Sequence, residues 1–301
     1  LYYKSSEKVS ISGAIFLFLG TFLAGTILAI PYLFIVEICP IIYACILLTV
    51  AYGYVIGLLC KLIIKKTKMR NALVTVFSVS LGTIAFTYFK WIFYVCRQFM
   101  GSYIDGVNQL IADPSLLWNS ISYINSIGTW SISSSHSSSD SASAVSGPFL
   151  YIVWIAEIII IAGVAIFTAY DKTRAPFIES DDEWAKEYKE KTFAFEWFEI
   201  KKNEIEHNPD IILENNPTRW VKDGSYIQVK LYHSYNFSEC YISLFEVKYD
   251  PKNKKSNSSE KMKYLKVTQD FYEKLIKLTG NLDLMAEVAQ SASNESDKIN
   301  L

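Results

Sequence analysis

A chain of 301 residues that is 51% hydrophobic and 20% charged is too apolar for one ordinary soluble domain and too charged to lie wholly in a membrane. Only nine of its 29 Lys and Arg and six of its 30 Asp and Glu precede residue 171, so a membrane half is followed by a slightly acidic soluble half. The formal net charge of −1 gives no case for nucleic-acid binding, and five cysteines without CxxC or Cys/His spacing argue against a zinc site; no motif calls for a cofactor.

Val9 to Val36 reads as the first span. It is longer than the roughly 7–15 apolar residues of a signal peptide, and Pro31 lies near its end. Thr21, Gly25 and Ala29 recur every fourth residue, as small residues do on a closely packed helix face. After the tight turn Glu37-Ile38-Cys39-Pro40, the second span runs from Ile41 to Cys60. Its Gly53-x-x-x-Gly57 pattern is a helix-contact motif, expected to pack on the first span or to form a subunit interface. Lys61 to Arg70, KLIIKKTKMR, carries five bases and no acid between two spans, which places it in the cytoplasm. The third span covers Ala72 to about Val95.

Gln98 to Gly147 has three acids and no Lys or Arg and belongs outside. Val107, Leu110, Ile111, Leu117, Trp118, Ile121 and Ile124 predict two short amphipathic helices broken at Asp113-Pro114. The serine-rich stretch 131–146 is too polar to pack, and His136 within it reads as a solvated residue. The fourth span, Pro148 to Tyr170, returns to Asp171, Lys172 and Arg174 on the cytoplasmic side. Four spans put both termini inside, and Trp91, Tyr94, Tyr151 and Trp154 form an outer aromatic belt.

ADPSLLWNSISYINSIGTWSI, then VSGPFLYIVWIAEIIII and APF, resemble a group of bacterial multi-pass inner-membrane proteins with no known activity, over roughly Ile111 to Phe177. The resemblance implies a bacterial inner membrane. Relatives carry a cysteine after the Pro-Phe pair; here that position is Ile178, so no metal ligand is implied there.

In the soluble half, Ser180 to Glu183 has a capping-box pattern and predicts a helix to about Lys189. Residues 191–200 alternate like a half-buried strand, followed by a turn-rich connection through Asn208-Pro209 and Asn215-Asn216-Pro217. Ser225–Tyr232 and Cys240–Tyr249 are the clearest strands. Lys252–Ser259 reads as an exposed hairpin loop, Met262–Val267 as a strand, and Thr268 as the cap of a helix ending at Gly280. The expected fold class is therefore a four-helix all-α membrane domain (1–174) followed by a small α+β domain with an antiparallel sheet (175–287) and a disordered tail (288–301).

Glu157 lies roughly 12–14 Å into the fourth span and Lys90 roughly 8–10 Å into the third from the same side, by the 1.5 Å helical rise. They share a level, either as a packing pair or as part of a proton or cation pathway. One acid, one base and no polar ladder favour the pair. Cys39 and Cys96 both fall at the outer face, where an oxidising periplasm permits a disulfide, although two thiols are the commoner outcome. Asp223 with Glu246-Val-Lys248 resembles the carboxylate–lysine arrangement of metal-dependent nucleases, but alternating charge on a strand is also an ordinary solvated face. His207 and His233 read as surface residues. The expected partners are the lipid bilayer, a second copy of the chain, and a cytosolic protein or small ligand for the α+β module. The rival functions are a channel or transporter subunit using Glu157 and Lys90, and a membrane-tethered nuclease.

Overall fold

A computed structural model describes residues 1–39, 42–129, 131–132, 143–187, 193–218 and 224–279. It divides into two units: Ser6–Arg174, and Ala175–Leu301 together with Leu1–Ser5. Among the described residues, the first unit holds four helices long and apolar enough to cross a membrane: α1 (Ile11–Ile38), α2 (Ile42–Thr67), α3 (Ala72–Met100) and a fourth, Pro148–Thr173. Ser10 caps α1 by accepting the Gly13 N–H at 3.1 Å, and Asn71 caps α3 by accepting that of Val74 at 2.9 Å. α3 stops at Gly101, whose left-handed φ of +71° suits glycine. The helix α2 continues through Lys61, Lys65 and Lys66, so the basic segment is mostly helical and only a short turn separates α2 from α3.

Between α3 and the fourth span lie α4 (Val107–Ala112) and α5 (Pro114–Ile127), the two amphipathic helices anticipated from their spacing. Asp113 caps α5, accepting from Ser115 and Leu116 N–H at 3.0 and 3.1 Å. Leu110, Leu117, Ile121 and Ile124 pack on Ile92, Val95, Leu150 and Trp154 and cover one end of the bundle. Two short strands, β1 (Ser131–Ile132) and β2 (Ser143–Ala144), pair antiparallel and are followed by the fourth span, α6 (Pro148–Thr173). The serine-rich residues between them, His136 included, lie outside the described residues.

The helix α1 packs on α2 and α3, and α6 packs on the same two, so the order around the bundle is α1–α2–α6–α3. The buried face of α1 is Gly13, Leu17, Thr21, Gly25 and Ala29, a step of four that ends at Tyr32. A Cβ on Gly25 would sit 2.2 Å from the Phe86 ring, so α3 needs that glycine to approach. Gly53 and Gly57 do not face α1, as the sequence suggested. Cβ atoms there would meet Ile161 O at 2.7 Å and Thr168 Cβ at 2.6 Å, both on α6.

The second unit is an antiparallel sheet. β3 (Phe177–Ile178) pairs with β4 (Glu183–Trp184), and β5 (Lys186–Glu187) pairs with the end of a longer strand at Tyr232 and His233. The main path, in order β10-β9-β8-β6-β7, uses β6 (Phe193–Glu196), β7 (Pro217–Thr218), β8 (Tyr226–His233), β9 (Cys240–Asp250) and β10 (Lys255–Val267). Between β6 and β7 come α7 (Lys202–His207) and a 3-10 turn at Pro209–Glu214; α8 (Gln269–Thr279) follows β10. Ile227, Val229 and Leu231 pack with Ile242, Leu244 and Phe195 against Phe271, Tyr272, Leu275 and Ile276 of α8. Thr268 caps α8 as read, accepting Phe271 N–H at 3.2 Å.

Three sequence readings give way here. Residues 183–187 form strands rather than a helix, because Phe177 pairs with Trp184 ring to ring at 5.2 Å and Asp181 Oδ2 accepts the distant Tyr235 N–H. The exposed loop at Lys252–Ser259 is mostly strand: β10 begins at Lys255, paired with Asp250. His233 is buried, stacked on Phe237 with centroids 4.3 Å apart. The first residues of the chain also have a partner: Tyr3 N–H donates to Tyr264 O at 2.9 Å and Lys266 N–H to Leu1 O at 2.7 Å, laying Leu1–Tyr3 along β10. The tail from residue 288 lies outside the described residues.

Candidate functional site: a charge cluster inside the bundle

An apolar helix can carry a charge through hydrocarbon only if the charge is paired, hydrogen-bonded or near water. Lys90 on α3 and Glu157 on α6 satisfy this together: Lys90 Nζ donates to Glu157 Oε1 at 2.6 Å. The cyclic helix order makes α3 and α6 neighbours, which brings the two residues into reach. The lysine side chain is 4% exposed and the glutamate 20%. Rings flank the ammonium, with Tyr32 and Trp91 centroids 5.9 and 5.6 Å from Nζ, a favourable placement for a desolvated cation.

The remaining two helices complete the cluster. From α1, Tyr32 donates to the same Glu157 Oε1 at 2.7 Å. From α2, Thr49 Oγ1 stands 3.0 Å from the Tyr32 hydroxyl and donates to Cys45 O at 2.9 Å. Tyr52 stacks on Tyr32, centroids 4.7 Å apart, and donates to Gly25 O at 2.6 Å. Each of the four spans thus supplies at least one polar group to one buried network. Charge arithmetic found Lys90 and Glu157. It did not find Tyr32, Thr49 or Tyr52, whose only signal was a hydroxyl in an apolar run, one of them directly after Pro31.

A second ion pair lies at the helix ends. Arg97 donates to both oxygens of Glu37, at 2.9–3.2 Å, and Tyr103 to Oε2 at 2.9 Å. The sequence places Glu37 only in a turn. Cys39 and Cys96 are thiols and are not bonded to one another.

In the sheet unit, Glu246 is held by Trp197 Nε1 at 3.0 Å and by Lys248 and Lys261 at 3.2 and 3.1 Å. The indole hydrogen bond, aided by the lysines, lowers its carboxyl to about 2. Both oxygens therefore face cationic or N–H donors, an arrangement that resists a metal ion rather than inviting one. Asp223 lies outside the described residues, and among those described no cluster of three His, Cys, Asp or Glu has metal-binding geometry.

An all-α membrane part with four spans, joined to an antiparallel α+β domain, is the class of protein these features define. Comparison of the chain with family profiles, curated proteins and solved structures gave no match.

Proposed function

We propose that this chain is a multi-pass protein of the bacterial inner membrane whose four-helix bundle is a fixed anchor for a cytosolic α+β binding or regulatory module. The observation that carries the anchor reading is the Lys90–Glu157 pair, drawn together with hydroxyls from the other two spans. A network closed across all four helices favours one packing arrangement. The basic segment Lys61–Arg70 supports cytoplasmic termini. The backbone bonds of Leu1–Tyr3 to β10 are consistent with an even number of spans between them, on whichever face they lie. The module's partner is a cytosolic protein or small ligand, and the lipid bilayer surrounds the bundle.

The double-mutant cycle tests this. Glu157→Gln leaves a buried lysine without its counter-charge and should cost roughly 3–5 kcal/mol of stability in detergent. Adding Lys90→Met removes both charges at similar volume and should restore most of the loss, with coupling of at least about 0.5 kcal/mol. Strict additivity would rule out the clamp. The alternative, a subunit of an oligomeric channel or transporter, draws on the one-fifth exposure of Glu157. It requires water at that residue and would show as Glu157-dependent ion flux in liposomes.

A further inference from the structure

The helix α5 carries more apolar surface than the bundle uses. At about 100° per residue, Leu117, Ile121 and Ile124 share one face, which is buried on α3 and α6. On one side of that face lie Leu116, Tyr123 and Ile127, 43–56% exposed; on the other lies Trp118, 61% exposed. The apolar arc therefore spans roughly 220°, about twice the ~100° stripe with which a surface helix packs on one core. Within the arc only Ser120 and Asn125 are polar, and Asn125 is buried with its amide donating to Gly147 O at 3.0 Å. The remaining strip, Ser115, Asn119, Ser122 and Ser126, lies opposite the buried face.

We propose that α5 is an interfacial helix whose two apolar flanks sit in the boundary between phospholipid headgroups and acyl chains, where α3 ends and α6 begins. With the buried face on the bundle and the polar strip towards water, the flanks point sideways, along the plane of the membrane. They are continuous with surfaces that the spans themselves present to lipid. On one side the Tyr123 ring lies 5.9 Å from that of Phe99, exposed at the end of α3. On the other, Trp118 stacks at 6.3 Å on Tyr151 of α6, whose neighbours Phe149 and Ile152 are exposed.

Two further observations favour lipid over a second copy of the chain. The flanks face opposite ways, so a copy docked on one leaves the other bare, whereas a bilayer reaches both. Neither α4 nor α5 contains a charged residue, so sinking the flanks among headgroups strips water from no ion. Trp and Tyr are also the rings that settle at this depth, apolar in body and polar at one end. Ile104 and Ile111 extend the exposed apolar surface towards α3. The inference rests on the four spans and not on the anchor reading.

Spin labels on the full chain in phosphatidylcholine liposomes, with the native cysteines replaced, test it. Leu116→Cys, Ile127→Cys and Trp118→Cys report the two flanks, and Asn119→Cys and Ser126→Cys the strip. All five positions are exposed, so a label needs no room inside the fold. Accessibility to oxygen, which concentrates in hydrocarbon, relative to a water-soluble nickel chelate should be severalfold higher at the flanks than on the strip. A ratio at either flank equal to that of the strip would overturn the proposal. Flank labels shielded from both reagents, with spin–spin broadening that unlabelled chain dilutes away, would place a second copy there and also overturn it. Trp118→Phe keeps a ring on Tyr151 and guards against a loosened Trp118→Cys. It should remove part of the tryptophan emission that brominated phosphatidylcholine quenches; unchanged quenching would count against the Trp118 flank and the proposal with it.

Discussion

At the scale of single residues, glycine placement and carboxylate environment carry most of the consequence. Gly53 has the backbone of α6 against it, Ile161 O and Cα being 2.7 and 3.1 Å from where a Cβ would be. Backbone cannot yield as a side-chain tip can, so Gly53→Leu should destabilise the bundle by about 1–3 kcal/mol, read from thermal melting in detergent. Gly163, on α6, is the control: a Cβ there meets nothing within 4 Å, and Gly163→Ala should be neutral or stabilising by up to about 1 kcal/mol. In the sheet unit, the lowered carboxyl of Glu246 has a pH signature. A carboxylate whose folded value lies below its ordinary 4.5 stabilises the fold above that pH and loses the contribution as pH falls towards about 2. Glu246→Gln should therefore be less stable than the parent at neutral pH, with the difference closing between pH 4.5 and 2. Parallel acid-unfolding curves would contradict the assigned contacts.

At the scale of elements, the first residues of the chain and β10 form one unit. Tyr3 adds ring contacts to its backbone bond, edge-on to Tyr241 at 5.6 Å and to Tyr264 at 6.5 Å, and Tyr2 donates to Glu206 at 2.6 Å. Tyr3→Pro removes both the ring and the N–H that reaches Tyr264 O, and should release the first residues from β10 at a cost of about 1–2 kcal/mol. The measurement is hydrogen exchange at the Lys266 amide, which is bonded to Leu1 O and should lose protection while the β8–β9 ladder keeps its own. Nothing in the composition of Leu1–Tyr3 pointed to this. A bridge of three residues has no periodicity to read, and its partner lies more than 260 positions along the chain. His233 was different. It shares the side of β8 that carries Ile227, Val229 and Leu231, so the two-residue alternation placed it inward had it been followed to the strand's end.

At the scale of the whole molecule, topology is the measurable claim. With native cysteines replaced, Lys68→Cys and Ser138→Cys should label from opposite sides of the membrane, and an impermeant reagent applied outside should reach only the second. The sheet unit has its own core under α8, so a fragment from Ala175 to Thr279 should fold alone and give dispersed amide signals. In that fragment the Lys266 amide should exchange freely until a peptide of residues 1–5 is added. A random-coil spectrum would mean that the unit depends on the rest of the chain.

Span number, the helix break at Asp113-Pro114, the helix cap at Thr268, and the level shared by Lys90 and Glu157 were legible in the sequence because each is local. A run of apolar residues, a capping oxygen beside its N–H groups and a charge at a known depth along a helix need no knowledge of neighbours. Which helix faces which is not local. The Gly53–Gly57 face meets α6 rather than α1, and Tyr32 and Thr49 join the charge pair, only because the bundle closes in the order α1–α2–α6–α3. A small-residue stripe states that something packs there but not what, since dispersion contacts are equally available from any smooth helix. The same holds at Ser180–Glu183, where a capping pattern lost to the Phe177–Trp184 pair and the Asp181–Tyr235 bond. Local propensities there differ by less than the long-range contacts supply, and only the tertiary structure decides between them.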